Sequence, residues 1–291
     1  MFVELFSVIT PVFLCVAIGF FWKRQKRSYD ENLITEISVN IGTPCLAFYT
    51  LTSTNLDTIS FNQMALASLT TMLAFVIIYA SILKIIGFSQ KTYLPALTFA
   101  NVGNMGLPLC LLAFGEQGLA LAISYFAINV ILMFSFGIAV AAGATSWSKL
   151  LRLPVVYAVL LALAFLYTGI TPPNWLSSTM LLLGGLTIPL MLITLGVSLA
   201  GLEIRNFPKS FILSSLRLIS GFIIGWATAE FFDMEGAARG VLILQSTMPI
   251  AVFNYLFALK YNNHPDDVAG TVVVSTMLSF LSLPFLLSYV M

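Results

Sequence analysis

Two polar clusters interrupt otherwise apolar stretches, and they hold most of the residue types able to bind a ligand. The first is Asn101-Val102-Gly103-Asn104-Met105-Gly106-Leu107-Pro108. The second is Gln245-Ser246-Thr247-Met248-Pro249, followed by Asn254. Glycine costs about 1 kcal/mol and proline about 3 kcal/mol in a helix interior, so a helix carrying either cluster is expected to unwind there. Unwound backbone at membrane depth is tolerated only where it lines a protein cavity. Pro108 and Pro249 each suit the first turn of a restarted half-helix, where a missing N–H is no loss. Two such N-termini facing one cavity present free N–H groups and positive dipole ends, which favours an anion such as a carboxylate. The amides of Asn101, Asn104, Gln245 and Asn254 serve either a ligand or the freed backbone.

The candidate substrate-binding residues are therefore Asn101, Gly103, Asn104, Gly106, Pro108, Gln245, Thr247, Met248, Pro249 and Asn254, together with Arg217. Arg217 stands about nine residues into an apolar run. A cation at that depth is costly and usually functional. It complements a substrate carboxylate, pairs with an acid, or snorkels to the interface near Lys209. For sodium, the candidate ligands are Asn104, Ser124, Gln245 and Thr247, with no central carboxylate among them. A proton, or no coupling ion, fits equally well. Glu36 either carries a coupling proton or sits at the inner interface. His264, the sole histidine, precedes Pro265 and reads as part of a helix start, with pH sensing as the alternative. No P-loop, HExxH, nucleophile elbow or CxxC pair is legible, so no enzyme chemistry, metal or cofactor is expected. Cys15, Cys45 and Cys110 all fall in apolar runs and read as packing residues.

The elements that must position these groups follow from composition. The 291 residues are 59% hydrophobic and only 9% charged, with a net charge of +1. Soluble domains carry about 25% charge. There is too little charge here to cover a water-facing surface, and no field to attract nucleic acid. A polytopic all-α membrane protein is the expected class, with the lipid bilayer as its solvent. Each helix needs about 20 apolar residues to cross the hydrocarbon core. Ten spans are predicted, over 3–22, 32–54, 63–86, 92–114, 117–142, 154–170, 175–201, 209–232, 238–260 and 266–290. The apolar N-terminus carries its positive charge after the run, at Lys23, Arg24, Lys26 and Arg27, as in a first span rather than a cleaved signal. With the N-terminus outside, inner loops hold Lys23, Arg24, Lys26, Arg27, Lys84, Lys91, Lys149, Arg152, Arg205, Lys209 and Lys260, and outer segments hold only Arg239. That asymmetry places both termini outside. Asp57, Glu116, Asp233 and Glu235 also fall on the outer side.

Prolines expose an internal repeat. Pro11, Pro44 and Pro108 recur as Pro154, Pro189 and Pro249, at offsets of 143, 145 and 141 residues. Five spans per repeat is an odd number, so the halves, 1–143 and 154–291, are expected to be inverted about a short cytoplasmic linker, 144–153. Inverted repeats whose broken helices meet near the midplane are a usual build of secondary transporters.

These residues carry a family resemblance. The Asn-x-Gly-Asn-x-Gly-Leu-Pro stretch at 101–108, and the run from Met248-Pro249 through Ala251-Val252-Phe253, Ala258-Leu259-Lys260-Tyr261-Asn262 and His264-Pro265-Asp266 to Leu283-Pro284, resemble the auxin efflux carrier family. That family lies within the wider group that includes bile-acid/sodium symporters. The resemblance implies that broken spans four and nine cross. It implies a transport core from spans three to five and eight to ten, and a scaffold from spans one, two, six and seven that often forms a homodimer contact. It further implies elevator-like alternating access for organic anions. Plant members that carry auxin have a long cytosolic loop between the halves, whereas about ten residues, Gly143 to Leu153, stand there in this chain. The chain thus resembles the short bacterial members, for which dicarboxylates are a usual suggestion and the bacterial inner membrane is the expected location.

Overall fold

A computed structural model describes residues 2–54, 58–143 and 153–291, with side chains from Phe6 onward. Apart from Leu153 the predicted linker 144–153, including Lys149 and Arg152, lies outside the described residues, as does Asp57. Every regular element described is helical. In chain order they are α1 (Phe2–Arg24), α2 (Glu31–Ile37), α3 (Thr43–Ser53), α4 (Thr58–Ile85), α5 (Gln90–Thr98), α6 (Leu107–Leu132), α7 (Ile138–Ala142), α8 (Pro154–Thr168), α9 (Asn174–Gly185), α10 (Thr187–Gly201), α11 (Phe207–Phe231), α12 (Gly236–Ser246), α13 (Val252–Lys260) and α14 (Pro265–Val290). π-helical turns at Ser38–Gly42 and Met133–Gly137 join α2 to α3 and α6 to α7, and a third at Val102–Gly106 leads into α6.

The starts and stops have local causes. The Asp30 carboxylate accepts from the Leu33 N–H, and the Asn206 side chain accepts from the Lys209 N–H, capping α2 and α11. Proline stands in the first turn of α8, α11 and α14, where its missing N–H costs nothing. Gly115, at φ 65° and ψ −160°, divides α6 where the sequence places the boundary between spans four and five. Among the described residues, six helical stretches are long and apolar enough to cross a membrane: Phe6–Arg24, Thr58–Ile85, Val102–Ala142, Asn174–Gly201, Phe207–Phe231 and Pro265–Val290. The chain is thus an all-α multi-pass membrane protein. Length alone does not reach the predicted ten, because the remaining predicted spans are short or interrupted. The α2–α3 segment is broken by its π turn, the first half of span four is only the nine residues of α5, α8 has 15 residues, and span nine is split into α12 and α13.

Packing follows small residues. α1 lies along α10, and α3 lies along α8 and α9. A Cβ added at Gly19 would stand 1.9 Å from the Ile193 carbonyl oxygen, and one at Gly196 would stand 2.0 Å from that of Val16. α1 and α10 therefore touch backbone to backbone, the close approach that glycine permits in lipid. The two interruptions of spans two and seven also meet, since a Cβ on Gly42 would reach within 2.4 Å of the Thr187 hydroxyl.

A second assembly of α4, α6, α11, α12 and α14 encloses Arg217, which is fully buried. Its Nη2 donates to the Ser246 carbonyl at 2.9 Å and its Nη1 to the Tyr79 hydroxyl at 3.3 Å. The guanidinium lies 4.5 Å from the centroid of the Phe75 ring. Tyr79 continues the network to Ser220, and Tyr125 meets the Ser246 hydroxyl. Ser246 ends α12, so the cation sits where the helix dipole is negative and a carbonyl lacks an intrahelical partner. Arg217 fastens the end of that half-helix to α4 and α11.

Three variants test this packing. Gly196→Val forces a branched side chain into the Val16 backbone and is expected to lower the melting midpoint of the detergent-purified protein, at a cost of about 1–3 kcal/mol. Gly185→Ala, with nothing within 4 Å of the new Cβ, should leave that midpoint unchanged. Arg217→Met keeps bulk but withdraws the donor from the Ser246 carbonyl, and should destabilise by about 1–3 kcal/mol. A midpoint equal to wild type would show that the guanidinium does not hold α12.

Candidate functional site

The two broken helices meet. α5 stops at Thr98 and α12 at Ser246, and the chain between each and its continuation is non-helical. The segment around Ala100 runs antiparallel to that around Ile250 as an isolated bridge. The Asn101 N–H donates to the Pro249 carbonyl at 2.7 Å, and the Ala251 N–H donates to the Phe99 carbonyl at 3.3 Å. The Asn254 side chain adds donations to the Phe99 carbonyl at 2.8 Å and to that of Ala251 at 3.1 Å. The Ile250 N–H is taken by the Ser275 hydroxyl at 3.1 Å. Backbone groups freed from one helix are thus satisfied by the other, as an apolar surrounding demands.

Pro108 stands in the first turn of α6, as the sequence suggests, whereas Pro249 does not restart its half-helix. On the first chain the break falls earlier, at Phe99–Asn101, and the helix resumes through the π turn Val102–Gly106, leaving Pro108 at the junction with α6. On the second, Pro249 lies in the bridge and offers only its carbonyl, and helix resumes at Val252. The physical reason is the pairing itself. Proline has no N–H to lose, so it fits the position of the bridge where only an acceptor is needed.

Two adjoining cavities open on this crossing. One, of about 480 Å³, is lined by Glu31, Asn32, Thr35, Glu36, Ser38, Asn104, Thr194, Ser198, Val252, Tyr255 and Leu256, among others. The other, of about 60 Å³, is lined by Thr43, Ala100, Asn101, Val102, Gly103, Phe126, Asn129, Met133, Phe134 and Pro154, among others. Val39, Asn104, Met191 and Phe253 line both. The first turn of the helix that begins at Val102 has no intrahelical acceptors for its N–H groups, and this turn faces the smaller cavity. Asn101 is 4% exposed and its Nδ2 has no partner, and the Thr43 hydroxyl, 3% exposed, has none either.

Of the sequence-predicted residues, Asn101, Gly103 and Asn104 line these cavities. Gly106, Pro108, Gln245, Met248, Pro249 and Asn254 build the crossing behind them without lining either. Gln245 packs against Gly106, where a Cβ would stand 2.1 Å from its Oε1, and neither end of its amide has a partner. Arg217 lies across α12 from the crossing and lines neither cavity. The four candidate sodium ligands are not gathered in one cavity. The Ser124 hydroxyl donates to the Phe61 carbonyl, the Thr247 hydroxyl donates to the Ile243 carbonyl, and Thr247 lines a separate groove with α11 and α14.

Sequence reasoning missed the facing wall. Ser38, Thr43, Met191, Thr194 and Ser198 come from α3, α10 and the π turn before α3. Thr194 and Ser198, four residues apart, share one helix face, the only signal that would have marked them. Tyr29 meets the Thr194 hydroxyl at 2.6 Å, and Ser198 donates to Glu31.

A family model described as membrane transport protein matches residues 5–145 and 138–287. An uncharacterized transporter of Methanothermobacter thermautotrophicus is 26% identical over 88% of this chain and 87% of its own. A probable auxin efflux carrier component 1b of Oryza sativa is 28% identical over 49% of this chain and 26% of its own length. Auxin efflux carrier component 2 of Arabidopsis thaliana is 26% identical over 49% of this chain and 23% of its own. The chain thus spans about a quarter of the auxin carriers it matches. With most of its length matched by the model, and broken helices crossing as the resemblance implies, the chain belongs to the membrane transport protein family that includes the auxin efflux carriers.

Proposed function

We propose that this transporter carries small organic anions, mono- or dicarboxylates, by alternating access at the crossing. The observation that carries the reading is the side-chain Nδ2 of Asn101, buried and without a partner, beside a helix N-terminus that faces a cavity. Free N–H groups and a positive dipole end favour a carboxylate there. Asn104, which lines both cavities, is placed to hold the ligand as it moves between them.

The cavities support a state open to one side. The larger cavity begins at Glu31 and Asn32, next to the basic loop of Lys23 to Arg27, which the charge rule assigns to the inside. A cavity of about 280 Å³ lies beside Glu116, on the opposite side, and is lined by Leu46, Thr50, Leu111, Gly184 and Ile188 without a crossing residue. In this reading the site is reached from the inside, and movement of the core opens the other route. The packing of α1 on α10 and of α3 on α8 and α9 supports a scaffold of spans one, two, six and seven, in halves that are inverted repeats of five spans within a total of ten. The same reading places the protein in a bacterial inner membrane with both termini outside, and assigns a homodimer contact to the scaffold.

Asn101→Ala and Asn104→Ala should each weaken carboxylate binding about tenfold or more, the loss expected for a hydrogen bond to a charged group. Thermal-shift titration of the purified protein reads that change, because a ligand stabilises by the logarithm of its concentration over Kd. Unchanged affinity in both variants would remove the crossing as the site. Counterflow of the same carboxylate in proteoliposomes distinguishes a carrier from a ligand sensor, which shows none. Repeating it with choline in place of sodium should leave the rate unchanged, whereas a sodium symporter would lose it.

A further inference from the structure

Among the described residues, the larger cavity has walls of one charge sign: Glu31 and Glu36 are its ionisable lining residues apart from Tyr255, and no described lysine, arginine or histidine lines it. The basic residues of the loop before α2 stand close by in sequence, yet none of Lys23, Arg24, Lys26 or Arg27 contributes to the lining. Oxygen groups continue the wall between the carboxylates and the crossing: Thr35, Ser38, Thr194 and Ser198. The Ser38 hydroxyl is an independent sign of a missing ligand. Ser38 is 6% exposed, lines this cavity, and its Oγ has no hydrogen-bond partner. Glu31 accepts from Ser198, which fixes that carboxylate against α10. Glu36 is exposed in the vestibule.

A second carboxylate placed at this wall faces the negative charge of Glu31 and Glu36 and is repelled by it. The adjoining smaller cavity offers donors, at Asn101 Nδ2 and the first-turn N–H groups. One cavity therefore has an anionic wall, and its neighbour, which shares Asn104 with it, is supplied with donors. Resting on the carboxylate reading above, we infer that the ligand bears a positively charged nitrogen as well as a carboxylate, as an α-amino-acid-like zwitterion does. Its carboxylate lies at the crossing and its ammonium faces the wall of Glu36, Glu31 and Ser38. An ammonium supplies three donors for carboxylate and hydroxyl oxygens.

The test is a thermal-shift and counterflow panel on the full-length purified chain. The probes are common α-amino acids, each beside the 2-hydroxy acid of the same side chain and beside its decarboxylated amine, in sodium and in choline. Expected is a zwitterion that stabilises the wild type with an apparent Kd about tenfold or more below that of its 2-hydroxy acid, regardless of sodium. Glu36→Gln should weaken the zwitterion and tighten the 2-hydroxy acid, because it removes both an attraction and a repulsion. A 2-hydroxy acid that binds wild type as tightly as the zwitterion overturns the inference and leaves the carboxylate reading standing. Carboxylate binding that requires sodium and loses that requirement in Glu36→Gln also overturns it, by assigning the wall to an inorganic cation. Binding by amines alone, with no response to either carboxylate-bearing probe, overturns both readings.

Discussion

Two helices of this protein are interrupted where no water is available to their backbones, and each interruption is completed by the other. The pair of hydrogen bonds between Asn101 and Pro249 and between Ala251 and Phe99 answers a requirement that an apolar interior imposes on every freed N–H and carbonyl. Asn254 and Ser275 complete the pairing with side-chain groups. The remaining groups at the crossing take their places from this contact. It accompanies the points where α6 and α13 resume and the first-turn N–H groups that face the cavity.

Around that contact, charge is used for two separate purposes. Among the described residues, no acid pairs with Arg217. Its partners are a helix-end carbonyl, a tyrosine hydroxyl and an aromatic face, all of which hold positive charge without neutralising it. Such a group stabilises a broken helix by occupying the negative end of its dipole. The carboxylates Glu31 and Glu36, both on α2, line the larger cavity instead. Among the described residues, the buried cation thus serves a helix end while the two acids line the cavity.

The two packing styles have the same physical source. Lipid gives no hydrophobic drive for helices to associate, so contact must come from close approach and hydrogen bonding. Gly19 and Gly196 give backbone contact between α1 and α10, while Tyr79, Ser220, Tyr125 and Ser246 give a polar network among α4, α6, α11 and α12. The cavities lie between these two assemblies, lined by α10 and α2 on one side and by the crossing on the other.

Much of this was legible in the residues. The low charge and long apolar runs require a membrane fold, and the runs place helix ends within a few residues of those found, since capping and proline effects are local. The glycine, asparagine and proline clusters mark both breaks, because the cost of those residues in a helix is intrinsic. The sequence determined that two helices break and that polar side chains accompany the breaks. Only the tertiary structure decided what each of those side chains does. Pro249 was displaced from its half-helix start because bridge pairing, a contact across about 150 residues of chain, takes its carbonyl. Arg217 was turned from ligand to helix end, and Ser38, Thr194 and Glu36 were brought to the cavity, by packing of elements distant in sequence. Which face of a helix meets which partner depends on contacts that no local pattern encodes.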